Sequence, residues 1–211
     1  MSLAQKIVTA TLSLGIALGG GCAITPVYTS SPHSCHYQRD RIPLDSLAVV
    51  IIDMQNYFLD QLSLDDREDL VEQQKSLLKY CQKEGIKVFV LEYQGLGETT
   101  EELKTELANL SEIEYIQKPH DGAFEETHLD QRLKAEGLTH LLLSGVTAGA
   151  CVKQTFIQGR ERGYQVITTR NLIADKPVYK GTMVDEMQHW YPAVVDGFER
   201  TTKSVLEDFC K

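Results

Sequence analysis

Short apolar runs alternate with longer segments of helical periodicity from residue 46 onward. The first run, LAVVIID at residues 47–53, is apolar throughout and ends in an acidic residue. A strand without polar alternation is buried on both faces, which is typical of a parallel sheet covered by helices on both sides. Since right-handed crossovers connect such strands, the pattern predicts an α/β fold of three layers, α/β/α. Its doubly wound, mostly parallel sheet should have about six strands.

The two periodicities assign the elements along the chain. Strands are expected at residues 47–53, 86–93, 114–118, 139–145, 164–169 and 193–197. Helices are expected at residues 65–84, 99–110, 127–136, 150–162, 181–190 and 201–209. Thr99 and Glu102 have the spacing of a capping box, so Thr99 is the expected cap of the second helix.

Residues 1–40 differ in composition from the domain expected at residues 41–211. A basic residue precedes the apolar stretch 7–18, and glycines then lead to Cys22, as in a secretory signal or a lipoprotein. Residues 1–23 slightly favour an exported, periplasmic or lipid-anchored protein, and a cytoplasmic protein with a retained N-terminal arm is the alternative. Membrane contact is expected only if Cys22 carries a lipid. Whether the segment is cleaved stays open.

Charge and cysteine content exclude several classes of protein. The net charge is −9, and no cluster of Lys and Arg interrupts it, which argues against binding of nucleic acid. The five cysteines have irregular spacing without CxxC or Cys/His pairs, so neither a zinc site nor a disulfide scaffold is indicated. The first strand is not followed by GxGxxG, which disfavours a dinucleotide-binding domain.

Ligand sites in doubly wound sheets lie at the carboxyl ends of the strands, near the point where strand order reverses. Polar residues that end predicted strands are therefore the candidates for a site. This rule selects Asp53, Glu92 with Tyr93, Lys118, and the loop 147–151. It brings an acid, an ammonium group and a thiol from three strands to one edge of the sheet.

These groups form a chemically coherent set. Cys151 opens a predicted helix, where the partial positive charge of the helix N-terminus favours a thiolate, and Lys118 can hold that thiolate. Asp53 can take the thiol proton and deliver it to a leaving nitrogen. Each residue also has a structural reading: an Asp that caps a turn, a surface Lys, and a Cys that packs as a small hydrophobic residue.

Three segments resemble the signature regions of the isochorismatase-like cysteine hydrolases, the superfamily of isochorismatases, nicotinamidases and N-carbamoylsarcosine amidohydrolases. They are DMQNYFLD at residues 53–60, KPHDGAF at 118–124 and SGVTAGACV at 144–152. The resemblance extends over about residues 46–175 and keeps the order and spacing of the three motifs. It implies the same three-layer fold that the strand pattern predicts.

The resemblance also implies roles for individual residues. Asp53 would be the general base and acid, Lys118 the middle member of the triad, and Cys151 the nucleophile. A non-proline cis peptide is implied between Val146 and Thr147, aiming the N–H groups of Thr147 and Cys151 at an oxyanion. Family members often complete their pockets with a neighbouring subunit, so a homo-oligomer, dimer or tetramer, is implied as well.

Cys151 narrows the expected reaction. Isochorismatases of the family resemble this chain but lack a cysteine at this position, so a thiol-dependent hydrolase of a small amide, ureide or carbamoyl C–N bond is predicted. The alternatives are an isochorismatase-type vinyl-ether hydrolase and a non-catalytic protein that binds a small molecule. The segment LEYQGLGETTEEL has no histidine, unlike the zinc-binding nicotinamidases, so no metal and no cofactor are predicted.

Further residues are candidates for the wall of a small substrate pocket. All follow a predicted strand end or lie within a family-like motif: Asn56, Tyr57, Phe58, Glu92, Tyr93, His120 and Phe124. Some of these aromatic residues are expected in the core instead. Whether His120 and Glu92 contact substrate, and what the substrate is, the sequence leaves open.

Overall fold

The computed structural model describes residues 42–176 and 186–210 of the chain. The predictions for the N-terminal extension, and the first part of the helix predicted at 181–190, fall outside these residues. Within the two described ranges, no helix has the length and apolar character needed to cross a membrane.

A six-stranded parallel sheet forms the centre of the described chain. All strands of the described residues, including two outside this sheet, are in chain order β1 (Ile42–Pro43), β2 (Leu47–Ile52), β3 (Lys87–Tyr93), β4 (Ile113–Lys118), β5 (His140–Val146), β6 (Gln165–Ile167), β7 (Ile173–Ala174) and β8 (Phe209–Cys210). The order across the sheet is β4-β3-β2-β5-β6, with β7 also paired to β5. All these pairs are parallel, and β1 and β8 form a separate two-stranded sheet. The predicted three-layer α/β fold is confirmed.

Helices connect the strands. They are α1 (Asn56–Leu59), α2 (Leu64–Glu84), α3 (Glu101–Ala108), α4 (Leu129–Ala135), α5 (Lys153–Glu161), α6 (Tyr191–Val194) and α7 (Thr202–Leu206). Single helical turns occur at Leu44–Ser46, Ala148–Val152, Arg170–Leu172 and Glu186–Trp190.

The longest helix, α2, begins and ends where its sequence directs. Ser63 caps it by accepting a hydrogen bond from the backbone N–H of Asp66, and Gly85 ends it in the left-handed conformation. Leu70, Leu77 and other apolar residues at helical spacing are buried against the sheet. The helix therefore forms one of the outer layers.

Strand β5 shows how the layers are arranged. Leu141 on this strand lies near Gly159 of α5, whereas the Ser144 hydroxyl is hydrogen-bonded to the Gln74 side chain of α2. Residues three apart on a strand point to opposite faces. Helices α2 and α5 therefore cover opposite faces of the sheet.

The strand order reverses beside the central strand β2. From β2 the chain first moves outward through β3 to β4, and it then crosses back to place β5 on the other side of β2. Ile52 at the end of β2 is level with Gly145 near the end of β5. The loops that follow these two strands therefore meet at the reversal point, where α/β sheets bind ligands.

The last helix ends at Leu206, three residues before its predicted end, because Phe209–Cys210 pairs as β8. Two further local predictions differ from the structure. The strand predicted at 193–197 is absent: Tyr191–Val194 is helical with Pro192 in its first turn, and Ile173–Ala174 supplies the sixth strand. A short apolar run fits a strand or a buried helical turn equally well, and pairing with β5 decides in favour of residues 173–174.

The other difference concerns the start of α3. Thr100 is its N-cap, and the hydroxyl and backbone N–H of Thr99 bind the carboxylate of Glu92 instead. The one-residue shift reflects a tertiary contact that local spacing does not contain.

Candidate active site

Asp53 and Lys118 form a fully buried ion pair at the carboxyl edge of the sheet. The ammonium Nζ lies 2.8 Å from Asp53 Oδ2, and both side chains are 0% exposed. Asp53 directly follows β2 with a φ of 54°, and its N–H donates to Leu91 O of the neighbouring strand β3. A left-handed backbone conformation is uncommon for Asp, although it is tolerated. Here it occurs at the residue whose carboxylate pairs with Lys118.

The ammonium group of Lys118 has two further contacts. It donates a hydrogen bond to the carbonyl oxygen of His120 at 3.1 Å, and it lies 4.4 Å from the centre of the Tyr93 ring. These contacts hold the ammonium group in place. The carboxylate is less well satisfied, because neither oxygen of Asp53 receives a well-directed hydrogen bond from a described residue, although Lys118 is close. Asp53 therefore retains capacity to accept a proton.

The thiol of Cys151 lies in the helical turn before α5 and is 3% exposed. Its Sγ is 3.7 Å from Oδ1 of Asp121, a residue of the loop after β4. The carbonyl oxygen of Cys151 accepts a hydrogen bond from the Thr155 hydroxyl at 2.8 Å. Thr155 in turn accepts from the N–H of Ala123 at 3.1 Å, which joins the helix to the loop that follows Lys118.

Burial and charge set the protonation of the site. Burial raises the pKa of Asp53 to about 6, against the opposing charge of Lys118. Burial also raises the pKa of the Cys151 thiol, and the carboxylates of Asp53 and Asp121 raise it further, which outweighs Lys118. The resting pair is therefore a thiol beside a carboxylate. Lys118 pairs with the Asp53 carboxylate, and its positive charge also favours the Cys151 thiolate, although burial and the two carboxylates outweigh that effect in the resting site.

The loop between β5 and Cys151 is tightly hydrogen-bonded. The peptide bond between Val146 and Thr147 is cis, at the position that the family resemblance implies. The carbonyl oxygen of Thr147 accepts from the N–H groups of Ala150 and Val152, both at 3.1 Å. The donors in these two bonds are therefore not the N–H groups of Thr147 and Cys151, which are the groups expected to form an oxyanion hole.

Two contacts from the C-terminal part of the chain secure the same loop. The N–H of Gly149 donates to Oδ2 of Asp175 at 2.7 Å, and the Tyr191 hydroxyl donates to the Ala148 carbonyl at 2.6 Å. Asp175 follows β7, and the Tyr191 side chain is fully buried. The N–H of Gly149 is thus engaged within the protein.

A polar cavity of about 430 Å³ is lined by Asp121, whose carboxylate also contacts the Cys151 thiol. The remaining lining residues come from β3, the loop after β4 and α5: Tyr93, His120, Gly122, Glu125, Gln154 and Gln158. Asp53, Lys118 and Cys151 are not among the lining residues, so Asp121 is the link between the cavity and the thiol.

Of the predicted pocket residues, Tyr93 and His120 line this cavity. Phe58 is buried beside the Tyr93 ring, with a centroid distance of 6.1 Å. Asn56 and Tyr57 are exposed on α1, and the Tyr57 side chain is turned outward with 55% exposure.

The other two predicted pocket residues lie elsewhere. Glu92 precedes Tyr93 on β3, so its side chain points to the opposite face of the sheet. There it accepts hydrogen bonds from Thr99 and, at 2.6 Å, from Gln117, and it lines a different cavity near α3. Phe124 stacks on Tyr164 with a centroid distance of 5.7 Å. These two side chains have structural partners away from Cys151.

The sequence reasoning missed four residues that shape the site. Asp121 lies within the KPHDGAF segment, so its position after Lys118 was a usable signal. Gln154 and Gln158 follow Cys151 by three and seven residues and share its face of the helix, which helical periodicity predicts. Gln55 fixes the end of β3 by accepting from the Tyr93 N–H at 2.7 Å and donating to the Tyr93 carbonyl at 3.0 Å. Only the tertiary structure reveals that role.

Groups of three or more His, Cys, Asp and Glu side chains arranged as metal ligands do not occur among residues 42–176 and 186–210. The acidic and thiol groups at the sheet edge lie beside the buried ammonium group of Lys118. Proton transfer and nucleophilic attack are the chemistry that these residues can support.

A family model described as the isochorismatase domain matches residues 47–191, which include Asp53, Lys118 and Cys151. The secreted isochorismatase effector of Verticillium dahliae is 33% identical over 63 residues, which make up 30% of this chain and 33% of the effector. The matched part of the chain thus spans about a third of the length of that relative.

Solved structures share the fold. A cysteine hydrolase from Pseudomonas syringae pv. phaseolicola has a TM-score of 0.67 at 21% identity, covering 80% of this chain and 94% of the other. N-carbamoylsarcosine amidase from Thermoplasma acidophilum has a TM-score of 0.59 at 18% identity, with coverage of 71% and 92%. At such identities the likeness concerns the arrangement of the backbone.

Proposed function

The chain belongs to the isochorismatase family, and we propose that it is a cysteine-dependent hydrolase that cleaves a small amide, ureide or carbamoyl C–N bond through a thioester. The observation that carries the proposal is the buried ion pair of Asp53 and Lys118, 2.8 Å apart, beside the thiol of Cys151. Asp53 and Cys151 are close enough for each to shift the pKa of the other.

The first half-reaction forms the thioester. The Asp53 carboxylate takes the proton from the Cys151 thiol, and the sulfur attacks the carbonyl carbon. The C=O π pair moves onto oxygen, and the N–H groups of Thr147 and Cys151 stabilise that oxyanion. As the carbonyl re-forms, the C–N bond breaks and Asp53 returns its proton to the leaving nitrogen.

The second half-reaction restores the enzyme. Asp53, again a carboxylate, takes a proton from water, whose oxygen attacks the thioester carbon. The C–S bond breaks and the sulfur receives the proton from Asp53. Lys118 keeps the carboxylate in position and is itself held by its contacts with Tyr93 and His120.

The names of similar proteins support two reactions. The neighbours of known structure include a cysteine hydrolase and an amidase, in line with attack by a thiol on a C–N compound. The Verticillium dahliae relative is named an isochorismatase, which keeps vinyl-ether hydrolysis as the second candidate. A buried thiol held between Asp53 and Asp121 favours the first reaction, because vinyl-ether hydrolysis needs no nucleophilic sulfur.

Ammonia release from a panel of small amides, ureides and carbamoyl compounds tests the proposal. Replacing Cys151 by Ala should lower kcat/KM by at least about a thousandfold, because the covalent intermediate is lost. Intact-mass spectrometry of the wild type during turnover should detect the acyl-enzyme.

Cys81 provides the matched control. Its thiol is also buried, and burial raises its pKa to about 12, but it packs in α2 away from the sheet edge. Cys81→Ala should therefore keep activity. Full activity in Cys151→Ala would contradict the proposal and favour a hydrolase that does not use the thiol. If neither the wild type nor Cys151→Ala hydrolysed any compound of the panel, a binding protein would be favoured.

A further inference from the structure

We infer that the pocket selects substrates that carry a cationic group, an ammonium or a guanidinium, close to the scissile carbonyl, with Asp121 as its binding partner. The inference rests on the proposed function of Cys151 as the nucleophile and adds the substrate class. It starts from the contact between Oδ1 of Asp121 and Sγ of Cys151, 3.7 Å apart.

The lining of the cavity is the first observation. Two carboxylates, Asp121 and Glu125, lie in its wall, and neither forms an ion pair with a side chain of the described residues. Gln154 adds an amide group that accepts as well as donates hydrogen bonds, whereas the side-chain oxygen of Gln158 already accepts from the Phe124 N–H at 3.2 Å. Unpaired carboxylates beside a cavity make its potential negative, which attracts cations and repels anionic substrates.

The basic groups around the cavity do not offset these acids. The Lys118 ammonium group is buried against Asp53, and Lys153 pairs with Glu186 at 2.6 Å. Lys176 lies over the Phe58 ring at 5.7 Å. Arg162 donates to the carbonyl oxygen of Gln158 at 3.0 Å and lies over the Phe124 ring at 5.0 Å, where its charge acts on Asp130. His120 lines the cavity, with its Nε2 directed to the carboxylate of Glu126 at 3.2 Å.

The second observation is the state of the catalytic groups. The Asp53 carboxylate is fully buried between the ammonium group of Lys118, 2.8 Å away, and the thiol of Cys151. The negative charge of Asp121 further raises the pKa of both Asp53 and Cys151. An acid in this position slows thiolate formation unless a positive charge offsets it. A cation bound to Asp121 supplies that charge when substrate is present.

The distances set the size of the substrate. An ammonium nitrogen lies about 2.8 Å from a carboxylate oxygen that binds it, and a carbon under attack lies about 3.3 Å from sulfur. When the cation and the carbonyl approach the 3.7 Å contact between Oδ1 and Sγ from the same side, a short spacer of about one to three carbons joins the two substrate atoms. The class is therefore an α- or β-amino amide, or an equally short cationic ureide.

Three amides of similar size test the inference. They are 3-aminopropanamide with an ammonium group, neutral butanamide, and succinamate with a carboxylate. The wild type should prefer 3-aminopropanamide over butanamide by at least about tenfold in kcat/KM, since a charge-assisted hydrogen bond to Asp121 stabilises the bound cation. Succinamate should be the poorest substrate.

Asp121→Asn keeps the shape of the side chain and removes its charge. It should abolish the preference for the cation: kcat/KM for 3-aminopropanamide should fall, whereas kcat/KM for butanamide should rise, because the charge that opposes thiolate formation is removed. Glu161→Gln, an exposed acid at the end of α5 outside the cavity lining, should leave all three values unchanged. An equal loss on all three amides in Asp121→Asn would overturn the inference and make Asp121 a proton acceptor for the thiol.

Binding separates this inference from the proposed function. In Cys151→Ala, calorimetric titration should show tighter binding of 3-aminopropanamide than of butanamide, and Asp121→Asn in that background should remove the difference. Selective binding without hydrolysis by the wild type would retain the cation site and refute the hydrolase. Hydrolysis by the wild type without selectivity for the cation would retain the hydrolase and refute the cation site.

Discussion

At the scale of single residues, the site combines two groups whose burial is costly. Taking the Asp53 carboxylate and the Lys118 ammonium group out of water costs several kcal/mol per ion, which their mutual attraction repays only in part. The pKa of Asp53, raised to about 6, expresses this imbalance. The carboxylate is thereby a stronger base than an exposed Asp, and it faces a thiol whose pKa is raised as well.

The rate should therefore depend on pH in a defined way. Asp53 acts as a base only when deprotonated, so kcat/KM should be constant above about pH 6.5 and fall tenfold per pH unit well below pH 6. The pH profile of kcat/KM on a neutral amide measures this. A limb near pH 4, the range of an exposed carboxyl, would show that burial does not govern Asp53, and Cys81→Ala should leave the limb in place.

The sequence could predict which residues come together at the candidate site, but not which of their side chains are charged. Asp53, Lys118 and Cys151 each end a strand or begin the following helix, so the rule for parallel sheets selects them. Whether Lys118 pairs with the carboxylate or the thiol depends on distances of a few ångströms. Those distances arise from loop conformations, which residue spacing does not encode.

At the scale of elements, the approach of β5 to β2 is unusually close. Gly145 has a φ of +118°, and a Cβ built there would lie 2.0 Å from the carbonyl oxygen of Ile52. A side chain at this position must push the two strands apart just before the loop that carries Cys151. The glycine is thus required both by conformation and by space.

Gly145→Ala should destabilise the fold by about 2–4 kcal/mol, because it combines a disfavoured φ with a backbone clash. Urea unfolding followed by circular dichroism measures the loss as a lower midpoint at unchanged slope. Gly137→Ala is the control, since its φ is +70° but nothing lies within 4 Å of the added Cβ. It should cost about 1 kcal/mol from conformation alone. Equal losses in both variants would show that the close approach to Ile52 is unimportant.

Long elements with full periodicity were predictable, and short ones were not. The buried run of β2 and the capped helix α2 lie within one residue of their predicted bounds. Strand β7 has two residues, and its assignment depends on pairing with β5. A segment so short carries no period of its own, so tertiary contacts decide its conformation.

At the scale of the whole molecule, one continuous apolar core lies on both faces of the sheet. It extends from Leu47 in the first long strand to Phe209 near the end of the described chain. Such a core couples the strands, the helices and the C-terminal segment that carries Tyr191 to the loop of Cys151. The described domain should accordingly unfold as a single cooperative unit.

Leu142→Ala tests this cooperativity. Leu142 is fully buried in the centre of β5, and its truncation should cost about 2–5 kcal/mol. The single tryptophan, Trp190, packs on Phe156 at 5.4 Å and reports on the C-terminal region, whereas circular dichroism reports on all helices. Both signals should shift to the same lower urea midpoint. Separate midpoints would show that the region around Trp190 unfolds independently, and Leu64→Ala, at 77% exposure, should change little.

The protonated state of the thiols also bears on chemical durability. Peroxides oxidise thiolates far faster than thiols, and sulfenic acid formation follows thiolate content and exposure. Cys151 and Cys81 are both buried, and the pKa of each is raised, so both stay in the slowly oxidised form at rest. In the proposed mechanism Cys151 becomes reactive only when Asp53 takes its proton during attack on substrate, so the protein should keep its activity in oxidising surroundings.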